Sequence, residues 1–190
     1  TTIVARVMDF PLLRDGTIIF GKDTGLCKVE NEPIRKIASL VIKAINTENE
    51  NGLVIQTARG CFHLTAAQLT TWRKKPVRTL RRAMESSTSI TQSRGYSTYV
   101  ASDGTIWIEN TEQGLLSYSD GHLTKWKPKS NIFGVHINQM LELPDSTMVF
   151  GTHGEGLILM KNGDFWVINK VEQLPSSIVN ALFSMGSVWG

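Results

Sequence analysis

One short phrase recurs four times along this chain, and a chain written in repeats folds as repeats. Asp15-Gly16-Thr17-Ile18-Ile19-Phe20-Gly21 is followed by Thr24-Gly25-Leu26. Asn51-Gly52-Leu53-Val54-Ile55-Gln56-Thr57 is followed by Arg59-Gly60-Cys61-Phe62. Asp103-Gly104-Thr105-Ile106-Trp107-Ile108-Glu109-Asn110 leads to Gly114-Leu115-Leu116-Ser117-Tyr118. Asp145-Ser146-Thr147-Met148-Val149-Phe150-Gly151-Thr152 leads to Gly156-Leu157-Ile158-Leu159. A fifth copy opens at Gly186-Ser187-Val188-Trp189-Gly190.

Each copy has the same grammar. An Asp-Gly or Asn-Gly pair makes a tight reversal, because glycine takes positive φ without steric cost. A β-branched and aromatic run follows and reads as a strand. A polar loop, a glycine and a second strand come next. Ser119-Asp120-Gly121 and Lys161-Asn162-Gly163-Asp164 then mark a second hairpin, leading to a strand that carries Trp72, Trp126 or Trp166. One more apolar stretch precedes each Asp-Gly corner, as in Tyr96–Val100 and Ile137–Leu143. That makes four strands per copy.

The corner residues Gly16, Gly52, Gly104 and Ser146 are spaced by about 43 residues, the length of a four-stranded propeller blade. The predicted fold is therefore all-β: a partial β-propeller of about four and a half antiparallel blades. The blades fall at approximately 3–37, 38–73, 90–127 and 132–169, with a fifth begun at 174–190 and an insertion over 73–90. No long amphipathic helical period is present, which excludes helical solenoids. A β-sandwich lacks this fixed order of corner, strand, loop and glycine.

Composition fits that reading. The hydrophobic share of 41% with 19% charge is that of a chain able to bury a core, not of a disordered one. No apolar run approaches the ~20 residues of a membrane helix. The opening Thr1-Thr2-Ile3 does not read as an export signal, so the chain is expected to be a piece of something longer. Cys27 and Cys61 lack metal spacing and stand one position out of step in the repeat, so they are expected to be separate buried thiols. His63, His122, His136 and His153 show no i, i+4 or His-x-His pattern, so no metal and no cofactor is predicted. Gly21-Lys22-Asp23-Thr24-Gly25 lacks phosphate-loop spacing, and no nucleophile–base arrangement is legible.

Asp103-Gly104-Thr105-Ile106-Trp107-Ile108 with Gly114-Leu115-Leu116-Ser117-Tyr118 resembles the two-component regulator propeller repeat. Leu174-Pro175-Ser176-Ser177-Ile178-Val179-Asn180-Ala181-Leu182 is similar to that family's entry into an innermost strand. The resemblance spans nearly the whole chain and is most degenerate in the second copy. It implies the periplasmic sensor region of an inner-membrane protein, most often a hybrid sensor histidine kinase and sometimes a diguanylate cyclase. It implies oligosaccharide inputs and no enzymatic activity in this segment. A seven-bladed ring at this repeat length needs roughly 290 residues, so open edges are expected to promote self-association or a homodimer.

Strand direction assigns loops to faces. The loop entering the first strand and the loop leaving the second share one side, where propeller ligands bind by analogy. Lys22, Asp23, Arg59, Arg94, Tyr96, Glu112, Gln113, His136, His153 and Glu155 fall there. Aromatic, charged and amide groups together suit a sugar, which offers an apolar ring face and a hydroxyl rim. The stretch from Trp72 to Arg82 holds six of the chain's 20 basic residues, so the net charge of +3 is local in origin. Within it, Pro76 is placed to start a short helix, and Arg78, Arg81 and Arg82 are candidates for an anion patch facing an acidic glycan or partner. A basic face broad enough for nucleic acid is absent. A propeller lyase or glycosidase and a passive interaction scaffold are the competing function classes. The first lacks clustered catalytic groups, and the second would show no small-molecule ligand.

Overall fold

The computed structural model describes residues 7–9, 18–22, 25–29, 35–38, 42–48, 52–65, 67, 88–126, 136–169 and 174–182. The chain divides into two compact units, Thr1–Thr124 and Lys125–Gly190.

The first unit holds three sheets of four strands each, in sequential order. The first sheet is β1 (Val7–Asp9), β2 (Ile18–Lys22), β3 (Gly25–Val29) and β4 (Arg35–Ala38). The second is β5 (Ile42–Glu48), β6 (Gly52–Thr57), β7 (Gly60–Leu64) and β8 (Thr88–Thr91). The third is β9 (Thr98–Val100), β10 (Ile106–Asn110), β11 (Gly114–Ser119) and β12 (His122–Lys125). The second unit holds one such sheet: β13 (Ile137–Glu142), β14 (Met148–Thr152), β15 (Leu157–Lys161) and β16 (Asp164–Ile168). This is the all-β, four-stranded antiparallel architecture that the repeat predicts. Among the described residues no helix is long and apolar enough to cross a membrane.

The corners form as written. Asp103 Oδ1 accepts from the Thr105 N–H (2.8 Å), and Asp145 Oδ1 accepts from the Thr147 N–H (3.1 Å). The Gly104 N–H donates to Ala101 O, and the Ser146 N–H donates to Leu143 O. Ser146 takes the glycine's left-handed backbone, with φ 63 against 86 for Gly104. The side-chain hydrogen bond one residue earlier offsets the ~1–2 kcal/mol that this conformation costs a non-glycine residue. The second hairpins are two-residue turns with positive φ at both central positions, Asp120-Gly121 and Asn162-Gly163.

Two details depart from the sequence reading, both in the second sheet. Gly52 does not take the turn position of Gly104 and Ser146 but pairs with Glu48 as the first residue of β6, the place that Thr105 and Thr147 hold in the later copies. The strand that pairs with β7 is Thr88–Thr91, with Cys61 opposite Thr91 and His63 opposite Thr88. The basic stretch therefore lies in the β7–β8 connection, not after the second sheet. The expected outer strand at Trp72 was drawn by analogy with Trp126 and Trp166. Trp166 lies within β16 but Trp126 lies one residue past β12, so a tryptophan is not a fixed mark of that strand. Trp72, Pro76, Arg78, Arg81 and Arg82 lie outside the described residues.

Packing in the first unit runs from sheet to sheet. First strands are neighbours: β5 lies beside β1 and β2, and β9 beside β5 and β6. Val54, Cys61 and Ile90 of the second sheet meet Ile106, Ile108 and Leu116 of the third in one buried cluster, edged by Val100 and Tyr118. Each fully buried aliphatic side chain here contributes ~1.5–3 kcal/mol. Trp107 is buried in β10, as its mid-strand position predicts. Cys61 is a free, fully buried thiol, and burial pushes its pKa up to about 12. The register sets Cys27 opposite Phe20 and Cys61 opposite Gln56, one step apart relative to Gly25 and Gly60.

Candidate functional site

The loops that leave the second strands share one construction. Thr57 Oγ1 donates to Gly60 O (3.0 Å) and accepts from the Arg59 N–H (3.0 Å). Thr152 Oγ1 repeats this, donating to Gly156 O (2.9 Å) and accepting from the Glu155 N–H (3.0 Å). In the third sheet Asn110 takes over the role. Its Oδ1 accepts from the N–H groups of Glu112 and Gln113 (both 3.0 Å), and its Nδ2 donates to Ser93 Oγ (2.6 Å). The polar residue that ends the strand thus satisfies the loop backbone. The side chains of Arg59, Glu112, Gln113 and Glu155 are left exposed on a fixed frame.

Entry segments run alongside these loops. In the third sheet Thr111 donates to Arg94 O through both its N–H and its Oγ1 (2.9 Å each). In the fourth, the His153 N–H donates to His136 O (2.9 Å). Arg94 and His136 therefore occupy equivalent positions, as do Thr111 and His153. The first unit brings Arg94, Tyr96, Glu112 and Gln113 to one end of the third sheet. The second unit brings His136, His153 and Glu155 to the corresponding end of the fourth. Arg59 stands at the same end of the second sheet. Lys22 is the last residue of β2, paired with Val7 and Gly25. Asp23 lies outside the described residues.

The third sheet carries the most developed chemistry. The Arg94 guanidinium sits over the Tyr96 ring, 4.5 Å from its centroid. The Tyr96 N–H donates to Glu109 Oε2 (2.7 Å). Glu109 is buried at the end of β10, so a charge-assisted hydrogen bond anchors the segment that presents the aromatic ring. Between them, Gly95 lies so close to β10 that a Cβ would stand 2.0 Å from Glu109 O. The same position is 3.0 Å from Gln56 Cδ, which places β6 of the second sheet directly behind the entry segment. Gln56 is fully buried. Its Nε2 donates to Thr57 O (2.9 Å), and among the described residues its Oε1 has no hydrogen-bond partner.

Glu109 and Gln56 are absent from the sequence-derived set. Their signal was a polar residue closing an apolar strand, as in Leu53-Val54-Ile55-Gln56, and strand ends are commonly polar for no functional reason.

The described architecture is propeller-like: four-stranded antiparallel sheets in series, first strands adjacent where they share a unit, and a polar rim at the entry end. No family model matches the chain, and no curated protein matches it. Solved structures do. The extracellular domain of a putative one component system from B. thetaiotaomicron is similar at a TM-score of 0.68 and 18% identity, over 94% of this chain and 24% of that one. The extracellular domain of a putative hybrid two component system from the same organism is similar at 0.64 and 20% identity, over 89% and 24%. Virginiamycin B lyase from Staphylococcus aureus is similar at 0.65 and 10% identity, over 92% and 58%. These likenesses establish the fold. The chain spans about a quarter of the length of the two B. thetaiotaomicron extracellular domains.

Proposed function

We propose that this chain is part of the extracytoplasmic ligand-sensing propeller of a two-component receptor of the hybrid histidine kinase type. Its ligand is an oligosaccharide taken up at the entry end of the sheets. The observation that carries the reading is the anchored pair Arg94–Tyr96. An aromatic face stiffened by a stacked guanidinium offers a sugar both a ring to stack on and charged donors for its hydroxyls. The fold's likeness to the extracellular domain of a putative hybrid two component system from B. thetaiotaomicron supports it. Signalling then requires that the ligand favour one arrangement of sheets over another, since only differential affinity shifts a population. Catalysis belongs to an output module outside these residues.

A thermal-shift screen with neutral and acidic oligosaccharides tests the reading. At a ligand concentration of 100 Kd the gain is about 2.7 kcal/mol. Tyr96→Ala and Arg94→Ala should each weaken a hit by about tenfold, the size of a lost stacking or charge-assisted contact. A hit indifferent to both substitutions places the ligand elsewhere, and a hit that is turned over makes the protein an enzyme. No hit across the screen favours an interaction scaffold.

A further inference from the structure

The entry segment of the third sheet is held from two sides. On one side the Tyr96 N–H donates to Glu109 Oε2 of its own sheet (2.7 Å). On the other stands Gln56 of the second sheet. A Cβ on Gly95 would lie 3.0 Å from Gln56 Cδ and 3.1 Å from Gln56 Oε1, so the carboxamide presses on the residue between Arg94 and Tyr96.

That carboxamide is fixed, and one of its atoms is unused. Its Nε2 donates to Thr57 O (2.9 Å), and turning the group over would set two oxygens against each other. Oε1 is thereby aimed at the entry segment. Among the described residues it is the only buried side-chain polar atom without a hydrogen-bond partner. A methionine of similar length would fill the same space without a desolvated acceptor, so packing alone does not account for a glutamine here.

The fourth sheet makes the same joint without that feature. Thr57 and Thr152 close equivalent loops, so Gly151 stands where Gln56 does, and Val179 stands where Gly95 does. A Cβ on Gly151 would lie 3.0 Å from Val179 Cγ1, so the valine fills the notch. Ile178 and Asn180 then take the places of Arg94 and Tyr96. The segment is gripped further along. Asn138 Nδ2 donates to Val179 O (3.0 Å), and Gln139 holds Leu182 by both backbone groups, accepting its N–H (2.9 Å) and donating to its C=O (3.3 Å). Beyond it the sheet shows an open apolar wall of Leu159, Trp166 and Ile168, with the Lys161–Asp145 ion pair (2.6 Å) at the rim. This segment has one way to sit. The segment in the third sheet has an unfilled acceptor beside it.

We infer that the Arg94–Tyr96 segment has two seats. In the first, seen here, Glu109 holds the Tyr96 N–H. In the second, the peptide joining Gly95 to Tyr96 turns and gives that N–H to Gln56 Oε1. Glycine at 95 permits the turn, because no side chain has to swing with the backbone. The charged acceptor is the stronger of the two, so the Glu109 seat dominates. The second seat ties the segment across to the second sheet and carries Arg94 and the Tyr96 ring with it. The consequence for signalling rests on the reading of this pair as the ligand's contact. A ligand that prefers one ring position shifts the population of seats, and so changes a bond between neighbouring sheets.

Relaxation dispersion of the Tyr96 amide nitrogen in the 1–190 chain tests the inference. Exchange between two states is expected in the parent. Gln56→Met removes the second acceptor and should abolish the exchange. Glu109→Gln weakens the first seat and should raise the minor population about tenfold. A flat profile in the parent overturns the inference, and so does exchange that survives Gln56→Met. If Gln56→Met does not fold, Glu109→Gln decides, and a minor population that does not grow there overturns it. Maltohexaose and oligogalacturonate, a neutral and an acidic probe, separate the seats from the ligand reading. If neither binds, the sugar site fails while the exchange stands. A probe that binds without changing the ratio of the two states leaves the sugar site standing and overturns the part of the seats in signalling.

Discussion

Two places where one sheet meets the next differ in kind. Between the second and third sheets the contact is apolar and closed: Val54, Cys61, Ile106, Ile108 and Leu116 are all out of water. Between the fourth sheet and residues 174–182 the contact is polar and partial. It consists of amide side chains gripping backbone, one valine in a glycine notch, and an apolar wall beyond that stays open. The first kind is non-directional, scales with buried area and resists local opening. The second fixes register through hydrogen bonds worth about 1 kcal/mol each, and it opens without unfolding the rest.

The contrast is broken most directly at Ile108. Ile108→Ala should cost roughly 2–5 kcal/mol in denaturant unfolding, the range for a large-to-small change in a closed core. A loss below about 1 kcal/mol would mean that this contact is no tighter than the other.

Cys61 gives the next largest effect, read by pH. Its folded thiol holds its proton up to about 12, whereas the ordinary value is 9.0. The stability it supports is complete below pH 9 and declines as pH rises toward 12, by about 1.4 kcal/mol per unit. Urea midpoints at pH 8 and pH 10.5 should therefore diverge more for the parent than for Cys61→Ala.

On the polar side, Gln139→Ala should speed hydrogen exchange at the Leu182 amide by about fivefold to tenfold, the equivalent of one lost hydrogen bond. The global unfolding midpoint should stay where it was. A matching drop in global stability would show that the clasp is part of the core after all.

The smallest effect lies at the rim of the open face. The hydrogen bond from Lys161 is the main cause that holds the Asp145 carboxyl down to about 2, with Thr147 assisting. Whatever stability this exposed pair gives is present above the ordinary carboxylate range and lost as pH falls through about 2. Carboxyl titration by NMR should show Asp145 return toward 3.8 in Lys161→Ala.

The strand count per repeat, the corner turns and the equivalence of Ser146 with Gly104 were legible because they depend on local backbone chemistry: positive φ, an Asp one residue earlier, alternating β-branched residues. The place of β8 was not. Thr88-Ser89-Ile90-Thr91 carries little apolar signal, and only its pairing with β7 identifies it. That Arg94, Tyr96, Glu112 and Gln113 fall at one end of the third sheet was legible, because loop order follows from strand direction. Their anchoring was not. The bond from Tyr96 to Glu109 spans 13 residues, and the contact of Gln56 with Gly95 joins two sheets, so neither leaves a mark in any short window of sequence.

Gln56 and Gly151 hold one position in two copies, and so do Gly95 and Val179 in the segments that follow them. In one place the strand supplies the bulk and the neighbour is bare; in the other the bulk is reversed. Modules of this molecule are consequently not interchangeable bricks. A graft that moves one without its successor would set two large groups, or two hollows, against each other, so module shuffling would have to cut within a copy, keeping each tooth with its own socket.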